Sequence, residues 1–290
     1  MKISSTHLPA SLCRTLCTAL VLLLVLLLVL GISACAPKRP AELEPGVSPE
    51  VRFFRLAQER WGTFQNRMQA GREGPLHFQA KASLNYSSPS SSHRVVLDFY
   101  GSTDLPLRLD LTAGIGATIA LWREDAIDFT AYVPDEKTAF HFPDSKQGMA
   151  AFGLPLPYGL QDLAQLITGR WSALVPEEYE SAVAVNENRP EGPIRYTLRG
   201  PDGTFQLTLD EEALPAAYTS PGAGSWELTF SNVEKGPAGM TPGRIRMVRS
   251  PQEKALLTLK ELTLRDEPWP DDALALELPP GTKERIYAAP

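Results

Sequence analysis

From Leu76 to Tyr86 every second residue is apolar: Leu76, Phe78, Ala80, Ala82, Leu84 and Tyr86 alternate with His77, Gln79, Lys81, Ser83 and Asn85. Successive side chains of a strand point to opposite faces, so this stretch builds one face for a core and one for water. Short turns separate it from further candidates. Ser87–Ser92 leads to His93–Tyr100, and Gly101–Pro106 leads to Leu107–Leu111, where Leu107, Leu109 and Leu111 alternate with Arg108 and Asp110. Ile115–Trp122, Ala126–Val133 and Lys137–Phe142 continue the series. Strands so closely spaced leave no room for crossover helices, so they pair antiparallel as a meander.

The series resumes with Ile194–Gly200, Thr204–Asp210, Ser225–Asn232, Arg244–Val248 and Lys254–Leu264. Phe205, Leu207 and Leu209, like Trp226, Leu228 and Phe230, repeat the one-faced pattern. About eleven strands are expected in all. An antiparallel sheet this long and greasy on one face only must curl to bury that face. The fold class is therefore mainly β, an unclosed antiparallel β-barrel.

Two segments change the period. Ser48 is placed to N-cap a helix with Pro49 at its first position, and Gly71 to stop it. Phe54, Ala57, Trp61, Phe64 and Met68 recur on one face of that helix. Midway, the apolar lead-in Leu154-Pro155-Leu156-Pro157 precedes Leu160, Leu163, Ala164 and Ile167 at helical spacing, with Gly169 as the stop. These two helices are the available lid, or plug, for a half-open barrel. If they fill it completely, the result is a core. If they close it loosely, the result is an apolar cavity of the kind that takes acyl chains. The sequence leaves both open.

The N-terminus has its own logic. Lys2 and Arg14 precede the apolar run Ala19–Leu30, and Gly31-Ile32-Ser33-Ala34 supplies small residues before Cys35. That order is an export signal. The run is shorter than the roughly 20 residues of a spanning helix, although an uncleaved anchor is an alternative. Ile32-Ser33-Ala34-Cys35 resembles a bacterial lipobox, which implies cleavage before Cys35 and its diacylation. The expected layout is a signal peptide over 1–34, a tether over 35–47 rich in Pro and charge, and one domain over 48–290. Ala36, where an acid could stand, resembles an outer-membrane sorting signal.

Cleavage would remove Lys2 and Arg14 and no acid, so 28 cations fall to 26 against 34 acids, a net charge of −8. Such a surface argues against nucleic acid as a partner. Only Cys13, Cys17 and Cys35 are cysteines, so the mature chain offers no disulfide and no thiolate metal site.

The order of long helix, six strands, Gly153–Gly169 and further strands resembles the lipoprotein-localisation proteins, nearer to the outer-membrane receptor (LolB-like) than to the soluble carrier. Gly153, Pro155, Pro157 and Leu160 to Gly169 carry the likeness, together with Leu107–Trp122 and the lipobox. The C-terminal Ala275–Ile286 is closer to the carrier. The resemblance implies a lidded half-barrel whose cavity takes the acyl chains of lipoproteins. A periplasmic carrier protein would be a partner, the outer membrane would hold the anchor, and the protein would act as a monomer. Phe54, Trp61, Phe64, Phe78, Leu97, Phe99, Leu109, Leu156, Leu163, Ile167 and Trp226 are the candidate cavity residues. The family receptor also exposes an apolar residue on an early hairpin. Here that residue is Leu105, although its phase with Leu107 equally makes it the first inward residue of the next strand.

No enzymatic constellation competes with this reading, and no cofactor or metal is expected. His77, His93 and His141 have no acid at metal-ligand spacing. Ser90-Ser91-Ser92-His93 lacks a nucleophile elbow and reads as a solvated turn. The acid clusters at 176–180 and 210–215, and the glycines at 222–224 and 236–243, read as loops and hairpin turns. The alternative to lipid handling is a docking module in envelope assembly or stress sensing.

Overall fold

The computed structural model describes residues 47–288 apart from 70–73, 115, 155, 157, 201–202, 220–225 and 237–238. Cys35, the signal segment, the tether up to Gly46 and the helix stop at Gly71 lie outside the described residues, as do Pro155 and Pro157. Pro49–Pro290 forms one compact unit.

The chain starts its sheet in the middle. β1 (His77–Ser87) pairs on one side with β2 (Ser92–Ser102), followed outward by β3 (Leu107–Ala113), β4 (Thr118–Glu124), β5 (Phe129–Val133) and β6 (Thr138–Phe142). On its other side β1 pairs with β13 (Lys254–Arg265). Beyond β13 come β12 (Gly239–Val248), β11 (Glu227–Gly236), β10 (Pro215–Thr219), β9 (Gly203–Leu209), β8 (Ile194–Gly200) and, at that edge, β7 (Ser181–Ala184). The opposite edge is β14 (Lys283–Ile286), which runs parallel to β6 while every other pair is antiparallel. β7 and β14 do not meet, so the sheet is unclosed, as the alternation predicts.

This order has a topological consequence. After β6 the chain stands near one edge and must restart at the other. Residues 143–180 make that crossing and carry α2 (Ser145–Ala151), α3 (Leu160–Thr168) and a 3-10 turn at Trp171–Ala173. The crossing runs over the apolar face, and its buried residues join both halves of the sheet in one continuous core. Gly148 lets α2 lie close on β5, since a Cβ there would sit 2.2 Å from the Phe129 ring.

α1 (Pro49–Gln69) covers the second half of the sheet. Trp61 packs between Phe64, Tyr179 and Tyr196 with ring centroids 5.4, 5.4 and 4.9 Å away. Its indole N–H donates to the Glu177 carbonyl at 2.8 Å, and the Tyr196 hydroxyl donates to the Ala57 carbonyl at 3.0 Å. One expected face residue does not take part. Phe54 is 58% exposed, because the buried stripe runs through Phe53, Ala57, Arg60 and Phe64 and so turns Phe54 off the covered side. Arg60 holds that orientation by donating to the Glu191 and Gly192 carbonyls.

Three of the fourteen described strands are not evident in the sequence. β7 and β14 are four residues long and lie at sheet edges, and β10 begins at Pro215. Strands so short carry too few alternations to register as a period.

Candidate functional site

The crossing segment is bolted to the sheet at three places. At the first, Glu124 at the end of β4 gathers the starts of both lid helices. Its Oε1 accepts from the Ser145 N–H at 3.1 Å and from the Ser145 hydroxyl at 2.6 Å. Ser145 Oγ in turn accepts from the Leu160 N–H at 2.7 Å, satisfying a donor that a helix start leaves free. Gly159, the N-cap of α3, donates its N–H to Asp162 at 3.0 Å. Burial pushes the Glu124 carboxyl above the ordinary glutamate range, against the opposing pull of the Ser145 bonds.

At the second place, Thr103 in the β2–β3 hairpin is fully buried under α3. Its carbonyl accepts from the Gln161 and Gln165 amides, both at 3.1 Å. Its hydroxyl oxygen accepts from Arg170 at 2.8 Å and from the Leu76 N–H at 3.0 Å. A hairpin held this way does not project. Leu105, read either as an exposed tip or as the first inward residue of the next strand, is half-buried against the core and has a left-handed φ of 71°. Ile127, between β4 and β5, is by contrast 86% exposed. Asp125 shapes that turn by accepting from the N–H groups of Ile127 at 2.8 Å and Asp128 at 3.1 Å.

At the third place, α3 ends at Gly169, φ 82°, pressed on Gly239 and Met240 of β12. The Trp171 indole N–H donates to the Met240 carbonyl at 2.7 Å, and its ring stands edge-on to Phe230 at 4.9 Å.

Between these fastenings the lid packs closely. Met149, Leu156, Tyr158, Leu163 and Leu166 face Leu228, Ile245 and Met247 across a gap of about 10 Å³, room for at most one water. Trp61, Phe64, Phe78, Leu97, Phe99, Leu109, Ile167 and Trp226 are all buried in the single core. Leu156 and Leu163 are half-buried and flank the gap. The sequence reading misses a second aromatic cluster under α2, built from Trp122, Phe129, Phe140, Phe142 and Phe152. Its signal is weak because Phe129 to Tyr132 are all buried, so β5 has no alternation to detect.

The polar candidates stay apart. His141 meets Thr130 at 3.1 Å and Asp128 at 3.3 Å, while the serines of the 88–91 turn bond to one another. Among the described residues no group of three or more His, Cys, Asp or Glu could hold a metal ion, and no helix is long and apolar enough to cross a membrane.

The Glu124–Ser145–Leu160 relay has a measurable role. Ser145→Ala leaves the Leu160 N–H without its acceptor and takes the hydroxyl donor from Glu124, which keeps the Ser145 N–H. The expected loss is about 1–3 kcal/mol in urea unfolding, with faster hydrogen exchange at Leu160. The raised carboxyl also sets a pH slope. The native state holds the Glu124 proton more tightly than the unfolded chain, so this group's contribution to stability is present at low pH. It is lost as pH rises from the unfolded glutamate value through the raised native one. Glu124→Gln is expected to remove that part of the slope, and an unchanged pH profile would contradict the assignment.

An unclosed, antiparallel-rich sheet lidded by helices is the LolA-like fold. The chain superposes on a LolA superfamily protein from Nitrosomonas europaea with a TM-score of 0.50 and 12% identity, over 74% of this chain and 97% of that one. A DUF1329 family protein from Desulfovibrio piger gives a TM-score of 0.50 and 13% identity, over 75% and 96%. No protein-family model and no curated protein matches the chain. At these identities the likeness is one of fold.

Proposed function

We propose that this protein is a LolB-like, lipid-anchored envelope protein. It binds acyl chains of lipoproteins or lipids beneath its lid and passes them to the outer membrane. It does so without catalysis, as a monomer fed by a periplasmic carrier. The observation that carries the reading is how the apolar face is covered. It lies under α1 and one connecting segment, residues 143–180, rather than under a second sheet. Leu156 and Leu163, half-buried at the gap, are the side chains an entering acyl chain would displace. Each methylene buried in their place gains about 0.8 kcal/mol, so a long chain can offset the lost lid contacts. Transfer then runs toward whichever site binds more tightly. Acylation of Cys35 supplies the anchor, and Ile127, rather than Leu105, is the exposed apolar hairpin residue that would meet a bilayer or a partner.

A second reading, a docking module for envelope assembly or stress sensing, draws on the closed packing at the gap and on the exposure of Ile127. Native mass spectrometry of the full chain extracted from membranes, with displacement of a fluorescent fatty acid, separates the two. Lipid adducts beyond the covalent anchor, removed by competing fatty acid, are expected. Their absence, together with no fatty-acid binding, would leave the docking reading. Cys35→Ser is expected to abolish palmitate labelling, and labelling that persists would remove the anchor from the proposal.

A further inference from the structure

β12 and β13 begin as a regular antiparallel pair, from Val248 opposite Lys254 to Arg244 opposite Thr258, and the pairing ends there. Beyond that point β13 continues through Leu259–Arg265 paired only with β1, and Gly239–Gly243 of β12 continues paired only with β11. The divergence has identifiable causes. Asn232 of β11 takes a left-handed φ of 54° opposite Gly243, where a Cβ would sit 3.0 Å from the Asn232 Cβ and carbonyl oxygen. The far end of the hairpin meets the end of α3 through the Gly169–Gly239 contact and the Trp171–Met240 bond. On the other strand a bulge at Lys260 interrupts the register with β1.

The result is a groove of about 450 Å³ between the two strands, lined by Leu259, Leu262 and Leu264 and rimmed by Glu234, Lys235 and Lys260. The leucines are half-buried and point to the apolar face, opposite Ala82, Ala80 and Phe78 of β1. In an antiparallel pair every second residue directs its N–H and C=O away from its partner. Alternate residues of 259–265 therefore present donors and acceptors to the groove, and among the described residues no strand pairs with them on that side. An acyl chain lying there would leave those groups buried without partners, which is unfavourable. An extended polypeptide would satisfy those of 259–265 and place alternate side chains over the leucines. The chain's own tether is a poor occupant, because Pro37, Pro40 and Pro45 lack the N–H groups such pairing needs. The rim carries both signs of charge, so recognition through the backbone tolerates varied sequences.

We infer that this groove binds an extended peptide by strand insertion between β12 and β13, and that the peptide is the segment following the acylated cysteine of a cargo lipoprotein. The inference rests on the acyl-chain reading for the identity of the cargo, but the peptide site is tested separately.

The test uses the full chain in detergent micelles with three probes. They are a labelled ten-residue Ser/Thr/Val peptide, the same peptide N-methylated at every second amide, and a fluorescent sixteen-carbon fatty acid. The unmodified peptide is expected to bind and to slow hydrogen exchange of the groove-facing amides of 259–265 at least tenfold. N-methylation is expected to weaken binding at least tenfold, with fatty-acid binding unaffected by either peptide. Equal binding of the methylated peptide, or protection elsewhere, overturns strand insertion. Protection of 259–265 by fatty acid alone assigns the groove to lipid and overturns it too. Protection that grows with protein concentration in the absence of peptide assigns the groove to a second copy and does the same. Failure of the peptide with normal fatty-acid binding removes the groove site and leaves the acyl-chain reading intact. Peptide binding without fatty-acid binding keeps the groove site and removes that reading.

Discussion

Replacing Trp171 by alanine is expected to bring the domain close to unfolding at room temperature. The indole is among the largest fully buried side chains, and losing a buried Trp ring costs about 3–5 kcal/mol through transfer and cavity terms. The Met240 carbonyl, which accepts the indole N–H at 2.7 Å, is also left unpaired in the interior, at about 1–3 kcal/mol. Against a total stability of about 5–15 kcal/mol for a domain, this is a large fraction. Trp171→Phe separates the two terms, because it keeps most of the packing on Phe230 and loses only the bond. Urea unfolding of both variants checks this. A loss under about 2 kcal/mol for Trp171→Ala would show that the lid is not fastened at this point.

Gly169→Ala is the second large expected effect. The residue ends α3 at φ 82°, where an L side chain costs about 1–2 kcal/mol. Its Cβ would stand 2.7 Å from the Met240 nitrogen and 3.0 Å from the Gly239 carbonyl carbon. Both obstructing atoms are backbone and cannot rotate aside, so overpacking adds about 1–3 kcal/mol. Gly153 supplies the control, since it has φ 78° but nothing within 4 Å of an added Cβ. Gly153→Ala is therefore expected to show the backbone cost alone. Comparable losses in the two variants would mean that β12 can yield to α3. A larger loss at Gly169, with faster exchange at Met240, is the expected result.

The two substitutions probe one contact between segments about 70 residues apart in sequence, a separation that local pattern does not report. Alternation in β1, β3 and β9 is visible in the sequence because the pleat imposes a period of two on any strand with one wet face. The stop at Gly169 is visible for a similar reason, since a helix end favours a residue tolerant of positive φ. Strands crowded without room for crossovers also determine an antiparallel sheet, and its one-sided grease requires a cover.

Which residues lie under that cover is a different kind of fact. By sequence Leu105 sits in a turn and Ile127 inside the strand candidate Ala126–Val133, yet that strand starts only at Phe129 and Ile127 is the more exposed of the two. Leu105 packs inward because Gln161, Gln165 and Arg170 clamp the neighbouring Thr103, whereas nothing comparable reaches Ile127. Phe54 belongs to the apolar face of α1 by spacing, yet it is exposed because Arg60 sets the helix's rotation from carbonyls beyond its own chain neighbourhood. The groove between β12 and β13 likewise opens where their pairing ends at Arg244 and Thr258, which no local pattern marks. Periodicity is a property of a single segment, so eleven of the fourteen described strands, the two main helices and the need for a lid are legible in the chain. Rotation, clamping and strand divergence are set by contacts between distant segments, which no local pattern encodes.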